Sequence, residues 1–302
     1  MATIPLTRGG PDDGANFEYQ WTGDFLQAHL LSDIGKKRKQ NEDSCILCAP
    51  DDKKLEQERG ILFAVADGMG GVSGGEFASR LALQAIVERY YTGTQTGIPQ
   101  RLALAVTAAN QRIYEEAENH PEYHGMGTTV SIVVIHGENA YLAQVGDSRV
   151  YLLRSGKQPL VQLTEDHSIV AEQVRNGYLS EKEAQNHSLK NLITRAVGTR
   201  EAVKVDLFCL KLQENDALLI CSDGLSNMVR NEDIIEGLKM KSPQAGARIL
   251  VGRALEAGGT DNITAAVIRV TDEPPKTDLH EGATPISLAG GGFLSRLKKL
   301  FS

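Results

Sequence analysis

Apolar and polar positions along the chain follow two rhythms. Short runs rich in β-formers, ILFAVAD at 61–67 and SIVVIHG at 131–137, read as buried strands. AYLAQVGDSRVYLLRSG at 140–156 reads as a further strand pair with Gly146-Asp147 between its members, and the turn His136-Gly137-Glu138-Asn139 links two runs as a hairpin. Helical spacing takes over at 76–91, where Phe77, Leu81, Ala85 and Val87 mark one face, and at 100–118, where Leu102, Ala105, Ala109 and Ile113 recur. Two more helices are expected over 232–241 and 243–257. Strands cluster with strands and helices with helices, which predicts an α+β layered sandwich of antiparallel sheets covered by helix pairs and argues against a doubly wound parallel sheet.

The ends lack this patterning. Residues 1–23 are polar and aperiodic and read as a flexible tail, leaving 24–271 as the ordered domain. The stretch 272–292 has the Pro, Gly and charge content of a flexible linker. It leads into FLSRLKKLFS at 293–302, where Phe293, Leu294, Leu297, Leu300 and Phe301 oppose Arg296, Lys298 and Lys299 on a short basic amphipathic helix. Such a helix suits an anionic membrane surface or a partner's groove.

Composition narrows the classes. At 302 residues and 41% hydrophobic the chain can bury one substantial core. A net charge of −7 argues against a nucleic-acid-binding face. The N-terminus MATIPLTRGGPDDG has no apolar core of a signal peptide, and the longest apolar run, ILFAVA, is too short for a transmembrane segment, so a cytoplasmic location is expected. The four cysteines fit reduced thiols: Cys45-x-x-Cys48 is half of a zinc pattern, but Cys209 and Cys221 fall at the wrong spacing in β-rich runs.

The stretch VADGMGG at 65–71 raises the chemical question, since a greasy strand ends on an acid among glycines. Phosphate-cradle motifs fail here. The frame Gly70-x-x-x-x-Gly75 continues with Glu76-Phe77 where a P-loop needs Lys and Ser or Thr, and Gly68-x-Gly70 meets Ser73 at the third glycine position of a dinucleotide fingerprint. An aspartate beside a phosphate repels it unless a cation intervenes, so Asp67 asks for Mg²⁺ or Mn²⁺. Other acids share its setting: Asp223-Gly224 after the strand ALLICS, Asp261-Asn262 opening a β-rich run, Gly146-Asp147 between strands, and Glu42-Asp43 four and five residues after Arg38. Taken singly, Asp-Gly and Asp-Asn are ordinary turn pairs. A turn, however, does not require a buried strand before it.

The ordered series Arg38-x-x-Asn41-Glu42-Asp43, Asp67-Gly68-Met69-Gly70-Gly71, Gly127-Thr128-Thr129, Gly146-Asp147-Ser148-Arg149, Ser222-Asp223-Gly224 and Asp261-Asn262 resembles the metal-dependent Ser/Thr protein phosphatases of type 2C, in their compact bacterial branch. The resemblance spans about residues 28–270. It implies a four-layer α-β-β-α sandwich with a binuclear Mn²⁺ or Mg²⁺ centre in a cleft between the sheet edges. On matching positions, Asp67 bridges the two ions and the Gly68 carbonyl helps hold one. Asp223 and Asp261 complete the other ion's shell, Glu42 and Asp43 act partly through bound waters, and Asp147 lies near a third, weaker ion. Arg38 matches the phosphate-gripping arginine.

The implied reaction is hydrolysis of phosphoserine and phosphothreonine in proteins, with a metal-bridged hydroxide attacking phosphorus in line. The implied partners are phosphoprotein substrates and, in signalling, an opposing Ser/Thr kinase. Animal relatives carry a histidine where this chain has Met69, which cannot protonate the leaving alkoxide. The stretch between Leu163 and Val203 resembles the family's flap and is a candidate for substrate choice, with His167 and His187 as weaker candidates for touching metal or phosphate. The alternative is a catalytically inactive, phosphatase-like module that binds phosphoproteins, against which the full set of acids argues.

Overall fold

A computed structural model describes residues 6–12, 14–70, 74–95, 97–156, 158–180, 183–184 and 187–286. Among these the β-rich runs become strands β1 (Leu6–Gly10), β2 (Phe17–Thr22), β3 (Leu26–Asp33), β4 (Asp43–Ala49), β5 (Ile61–Met69), β6 (Gly127–Thr128) and β7 (Val130–His136). The series continues through β8 (Asn139–Val145), β9 (Arg149–Leu153), β10 (Leu160–Gln162), β11 (Asp206–Lys211), β12 (Ala217–Cys221), β13 (Ile263–Val270) and β14 (Thr284–Pro285). One sheet runs β1-β4-β5-β7-β8-β11-β14, with β6 also on β5, and the other runs β10-β9-β12-β13-β3-β2. The pairings are antiparallel except for the short β11–β14 contact.

The helices follow the expected faces: α1 (Lys53–Arg59), α2 (Gly74–Thr92), α3 (Ile98–Asn119), α4 (Ile169–Arg175), α5 (Asp223–Ser226), α6 (Asn231–Lys239) and α7 (Pro243–Glu256). Pro243 at the first turn of α7 and the Ser242 hydroxyl, which accepts from Ala245 N at 3.5 Å, set where that helix starts. Helices α2 and α3 cover the first sheet through Ala82, Ile86, Leu102 and Ile113. Helices α6 and α7 cover the second through Ile234, Leu238, Leu250 and Val251. The third core lies between the sheets, around Leu30, Leu47, Phe63, Leu142, Leu152, Ile220 and Ile268. The result is the four-layer α-β-β-α sandwich.

Strand period decides what happens at the end of this inner core. In β5, Leu62, Ala64 and Ala66 face the helices while Ile61, Phe63 and Val65 face the other sheet, so Asp67 continues the inward row. In β4, Cys45 and Leu47 face inward and Asp43 lies two residues before them, directly opposite Asp67 across the ladder. The same end of the other strands turns polar on the inward row: Ser32 after Leu30, Thr264 before Ala266, Ser222 after Ile220, Ser131 before Val133, and Gln144 after Leu142. A greasy strand ends on an acid because that residue reaches the mouth between the sheets.

Three expectations change. Within 1–23, residues 6–10 and 17–22 are strands, with β1 on β4 and β2 on β3, so the flexible tail is corrected. The signal was present in F-E-Y-Q-W-T, whose alternation turns Phe17, Tyr19 and Trp21 inward onto the inter-sheet core; Trp21 meets Phe63 edge-on at 6.3 Å. Within the expected linker 272–292, residues up to 286 are pinned to the sheet: Glu138 N donates to Pro275 O at 2.8 Å, β14 pairs with β11, and Ile286 is buried. The run at 140–156 forms the two expected strands around Gly146-Asp147, but they do not pair with each other: β8 and β9 belong to opposite sheets, and Gly146, at φ 104°, turns the chain across the sandwich. The expected helix at 293–302 lies outside the described residues. Among the described residues no helix is long and apolar enough to cross a membrane.

Candidate active site

Six predicted acids gather at the mouth between the sheets. Asp43 is fully buried, and its Oδ2 accepts from Ser222 Oγ and Thr264 Oγ1, both at 2.7 Å. Its Oδ1 has no protein partner. Asp67, opposite it, is held by its backbone: its N–H donates to Thr129 Oγ1 at 2.9 Å, and its carbonyl accepts from Thr128 Oγ1 at 2.9 Å. Asp223 opens the one-turn helix α5 within hydrogen-bonding reach of the Asp67 carboxyl. Asp147 follows the turn at Gly146 and faces Asp67 and Asp223 electrostatically.

Arg38, Glu42 and Asp261 form the rim. Arg38 Nη1 donates to Glu42 Oε2 at 3.2 Å, and Nη2 lies 2.8 Å from Asp261 Oδ1. Its side chain stays 44% exposed, so a guanidinium with five N–H donors keeps some for a ligand. Asn262 locks the rim: its amide donates to Ile34 O at 2.9 Å and Gln40 O at 3.0 Å, and its Oδ1 accepts from Glu42 N at 2.9 Å. Two glycines let the backbones close. A Cβ on Gly68 would stand 2.1 Å from Gly75 O, and one on Gly224 would stand 2.0 Å from Asn262 O.

Burial and mutual repulsion hold Glu42, Asp43, Asp67, Asp147 and Asp223 toward their protonated forms. Asp43 is pushed up to about 7, first by burial and then by Asp223 and Asp261, against the two hydroxyl donors that lower it. Asp147 is pushed up to about 8 by burial, Asp223 and Asp166. Asp67 is raised well above its ordinary value by burial and then by Asp43, Asp223, Asp147 and Asp261, and Asp223 and Glu42 are raised chiefly by burial. Like charges assembled at such cost call for a counter-ion.

The donor set fits hard divalent cations. It offers carboxylate oxygens, an orphaned buried Asp43 Oδ1 and a tight glycine backbone at Gly68. Among the described residues no three His, Cys, Asp or Glu side chains form a closed cage as they stand.

Other candidates resolve differently. His167 is buried and committed: its Nδ1 accepts from Gly146 N at 3.0 Å and its Nε2 is 3.0 Å from Asp206 Oδ2, so it anchors the turn before Asp147. His187 accepts from Leu189 N at 3.2 Å on the exposed flap. Cys45 and Cys48 are buried on opposite faces of β4, and Cys209 and Cys221 are buried free thiols elsewhere. The flap carries α4, and its far end is tied beside the site by Thr128 N to Val197 O at 3.0 Å. Sequence reading missed Thr264 as the second donor to Asp43; the inward row of β13, one residue out of step with Ile263, was the available signal.

A layered α+β sandwich with an acid-lined, arginine-rimmed cleft defines a class of metal-dependent phosphate-ester hydrolases. A family model described as Protein phosphatase 2C matches residues 36–252. The chain is 36% identical over 248 residues to a Listeria innocua protein named serine/threonine phosphatase stp, covering 80% of this chain and 95% of that one. The crystal structure of the Mycobacterium tuberculosis serine/threonine phosphatase PstP/Ppp superposes with a TM-score of 0.73 at 36% identity, covering 82% of this chain and all of that one. A structure of the catalytic domain of PstP in complex with 2 manganese ions gives 0.71 at 36% identity, covering 82% and 99%. This chain therefore belongs to the protein phosphatase 2C family.

Proposed function

We propose that the chain hydrolyses phosphoserine and phosphothreonine in proteins, using Mn²⁺ or Mg²⁺ held by the cleft acids. The observation that carries this reading is the convergence of Glu42, Asp43, Asp67, Asp147, Asp223 and Asp261 on one cleft with Arg38 at its rim. Asp67, the Gly68 carbonyl, Asp223 and Asp261 are the residues that would hold the two ions, with Glu42 and Asp43 acting partly through water and Asp147 beside a weaker third ion. A bound ion pair supplies charge neutralisation for the phosphomonoester and a more acidic water.

The chain's own residues supply the rest. Arg38, fixed by Glu42 and Asp261, turns its remaining N–H groups toward the equatorial phosphate oxygens. Ser222 and Thr264 hold Asp43 in one orientation, so its free Oδ1 points to one place. Met69 pairs with Gly127 and has no proton to give, so the leaving alkoxide takes its proton from water or another group. Phosphorylated serine and threonine are made by a kinase, which supports a role opposing one in cytoplasmic signalling. No observation favours the inactive binding module.

The test is phosphate release from a phosphothreonine peptide with Mn²⁺, with Mg²⁺ and with EDTA, wild type beside Asp223→Asn. Metal-dependent turnover lost in the variant is expected. No turnover from folded, metal-loaded wild type would refute the reading.

A further inference from the structure

A cavity of about 850 Å³ opens at the far end of the sandwich from the acidic cleft. Strand β5 begins beside it at Ile61 and runs away to Asp67; β7 starts near Thr129, at the cleft, and ends in the cavity wall at His136. Two arginines make the cavity floor cationic. Arg101 and His136 are each 7% exposed, and Arg59 and His280 are half-buried beside them. The exposed rim carries Lys276 against the two carboxylates Glu58 and Asp278, a net negative rim above the arginine floor.

The two guanidiniums spend their hydrogen bonds on neutral groups. Arg59 Nη1 donates to Tyr90 O at 3.1 Å and Gly93 O at 2.7 Å, and Arg101 Nη1 donates to Glu58 O at 3.0 Å while its Nε reaches Gln95 O. Among the described residues neither has a carboxylate at ion-pair distance. Arg101 holds its proton less firmly than usual, because of burial first and Arg59 next. Carbonyl capping of α2 accounts for the Arg59 Nη1 bonds, but it leaves Arg59 Nε and His136 Nδ1 buried with no partner. A buried cation without a counter-charge and buried polar atoms without partners are costly. An anion in the cavity would supply the two guanidiniums with the missing counter-charge.

The wall is built to stay in place. Thr277 Oγ1 donates to His136 O at 2.8 Å, Asn139 Nδ2 donates to Thr277 O at 3.1 Å, and His280 N donates to the Tyr141 hydroxyl at 2.8 Å. The His136 and His280 rings meet edge-on at 5.4 Å.

We propose that this cavity is a second, anion-binding site whose ligand is a small phosphate-bearing molecule. Paired guanidiniums match the geometry of a phosphate's oxygens, and the half-buried His280 ring stands beside them in the lining. The cavity has the size of a small-molecule site and exceeds what bare phosphate needs, so an organic phosphate fits as well.

The test uses the full chain treated with EDTA, in which the acidic cleft repels anions and leaves the far cavity as the binder. Inorganic phosphate and adenosine monophosphate are titrated separately by calorimetry, with the imidazole proton resonances followed by NMR. One saturable site that shifts His136 and His280 is expected, weakened about tenfold or more in Arg101→Gln and in His280→Ala/Lys276→Ala. Metal-dependent peptide turnover in the surface double variant should stay within about twofold of wild type, which shows that the fold and the cleft are intact. Tighter adenosine monophosphate assigns an organic phosphate, and equal affinities assign inorganic phosphate. The proposal is overturned by absence of saturation, by saturation without imidazole shifts, or by unchanged affinity in the folded double variant.

Discussion

Stripping divalent metal from the cleft should make the fold weaken as pH rises. Asp43 sits at about 7, against 3.8 for an unperturbed aspartate, because it is buried beside other acids. A carboxyl raised in this way binds its proton more tightly in the fold than in the unfolded chain. Stability is therefore lost as pH climbs from the unfolded value through the folded one, here between about pH 4 and pH 7. At about 1.4 kcal/mol per pH unit, the ceiling for Asp43 alone is about 4 kcal/mol. In a chain of this size that corresponds to about 6 °C in Tm. His29 works in the opposite sense, since burial lowers its imidazole value and the fold gains stability as pH rises toward 6.5. That contribution is common to metal-free and metal-loaded protein. The informative quantity is thus the gap between Tm with saturating Mn²⁺ and Tm with EDTA, measured by scanning calorimetry from about pH 5 to about pH 8. The gap should widen by about 4 °C across that range, the share of the loss that falls above about pH 5. Asp67→Asn removes one of the repelling charges, so in EDTA at about pH 8 it should melt above wild type and lose most of the gap. A gap independent of pH, or a variant that melts below wild type in EDTA, would refute the reasoning.

Further outcomes follow from single contacts. Arg38→Ala should lower kcat/KM by about 10- to 100-fold with Tm little changed, the value of a charged hydrogen bond, and wild-type kcat/KM in steady-state assays would remove it from the site. Thr264→Val takes one of two donors from Asp43 and should weaken Mn²⁺ binding by about tenfold in calorimetric titration, with Asp43→Asn giving a larger loss. Gly224→Ala forces a methyl against Asn262 O, so both Tm and metal-dependent turnover should fall; unchanged turnover would show that the cleft does not depend on that approach. Deleting residues 1–22 removes β1 and β2 and exposes the inner core around Phe63, at a cost of about 3 kcal/mol or more, whereas an unchanged denaturation midpoint would restore the flexible-tail reading.

Much of the fold was legible because period and burial go together. Helices α2, α3, α6 and α7 lie within a few residues of their expected bounds, and the antiparallel layered class followed from the order of the runs. The edge strands carried only a weak signal. β2 alternates Phe17, Tyr19 and Trp21 with Glu18, Gln20 and Thr22, yet only docking on β3 shows that the aromatic row faces a core and not solvent. The 272–286 segment has linker composition because it runs along a sheet edge, where polar residues are tolerated and backbone hydrogen bonds do the holding.

For the site, the amino-acid order alone determined which residues carry the chemistry: the acids at strand ends, the glycines that let backbones approach, and Arg38 four residues before Glu42. Their meeting was decided by tertiary structure. Asp43 and Asp67 face each other only in the β4–β5 register, and Asp261 reaches Arg38 across 223 residues only because β13 pairs antiparallel with β3, Ile263 opposite Asp33. The far cavity shows the same division. Nothing in local spacing relates Arg59, Arg101, His136 and His280, because four separate segments place them. Local sequence sets the period and the side-chain chemistry, whereas electrostatic coupling depends on distances that only the packed sandwich defines.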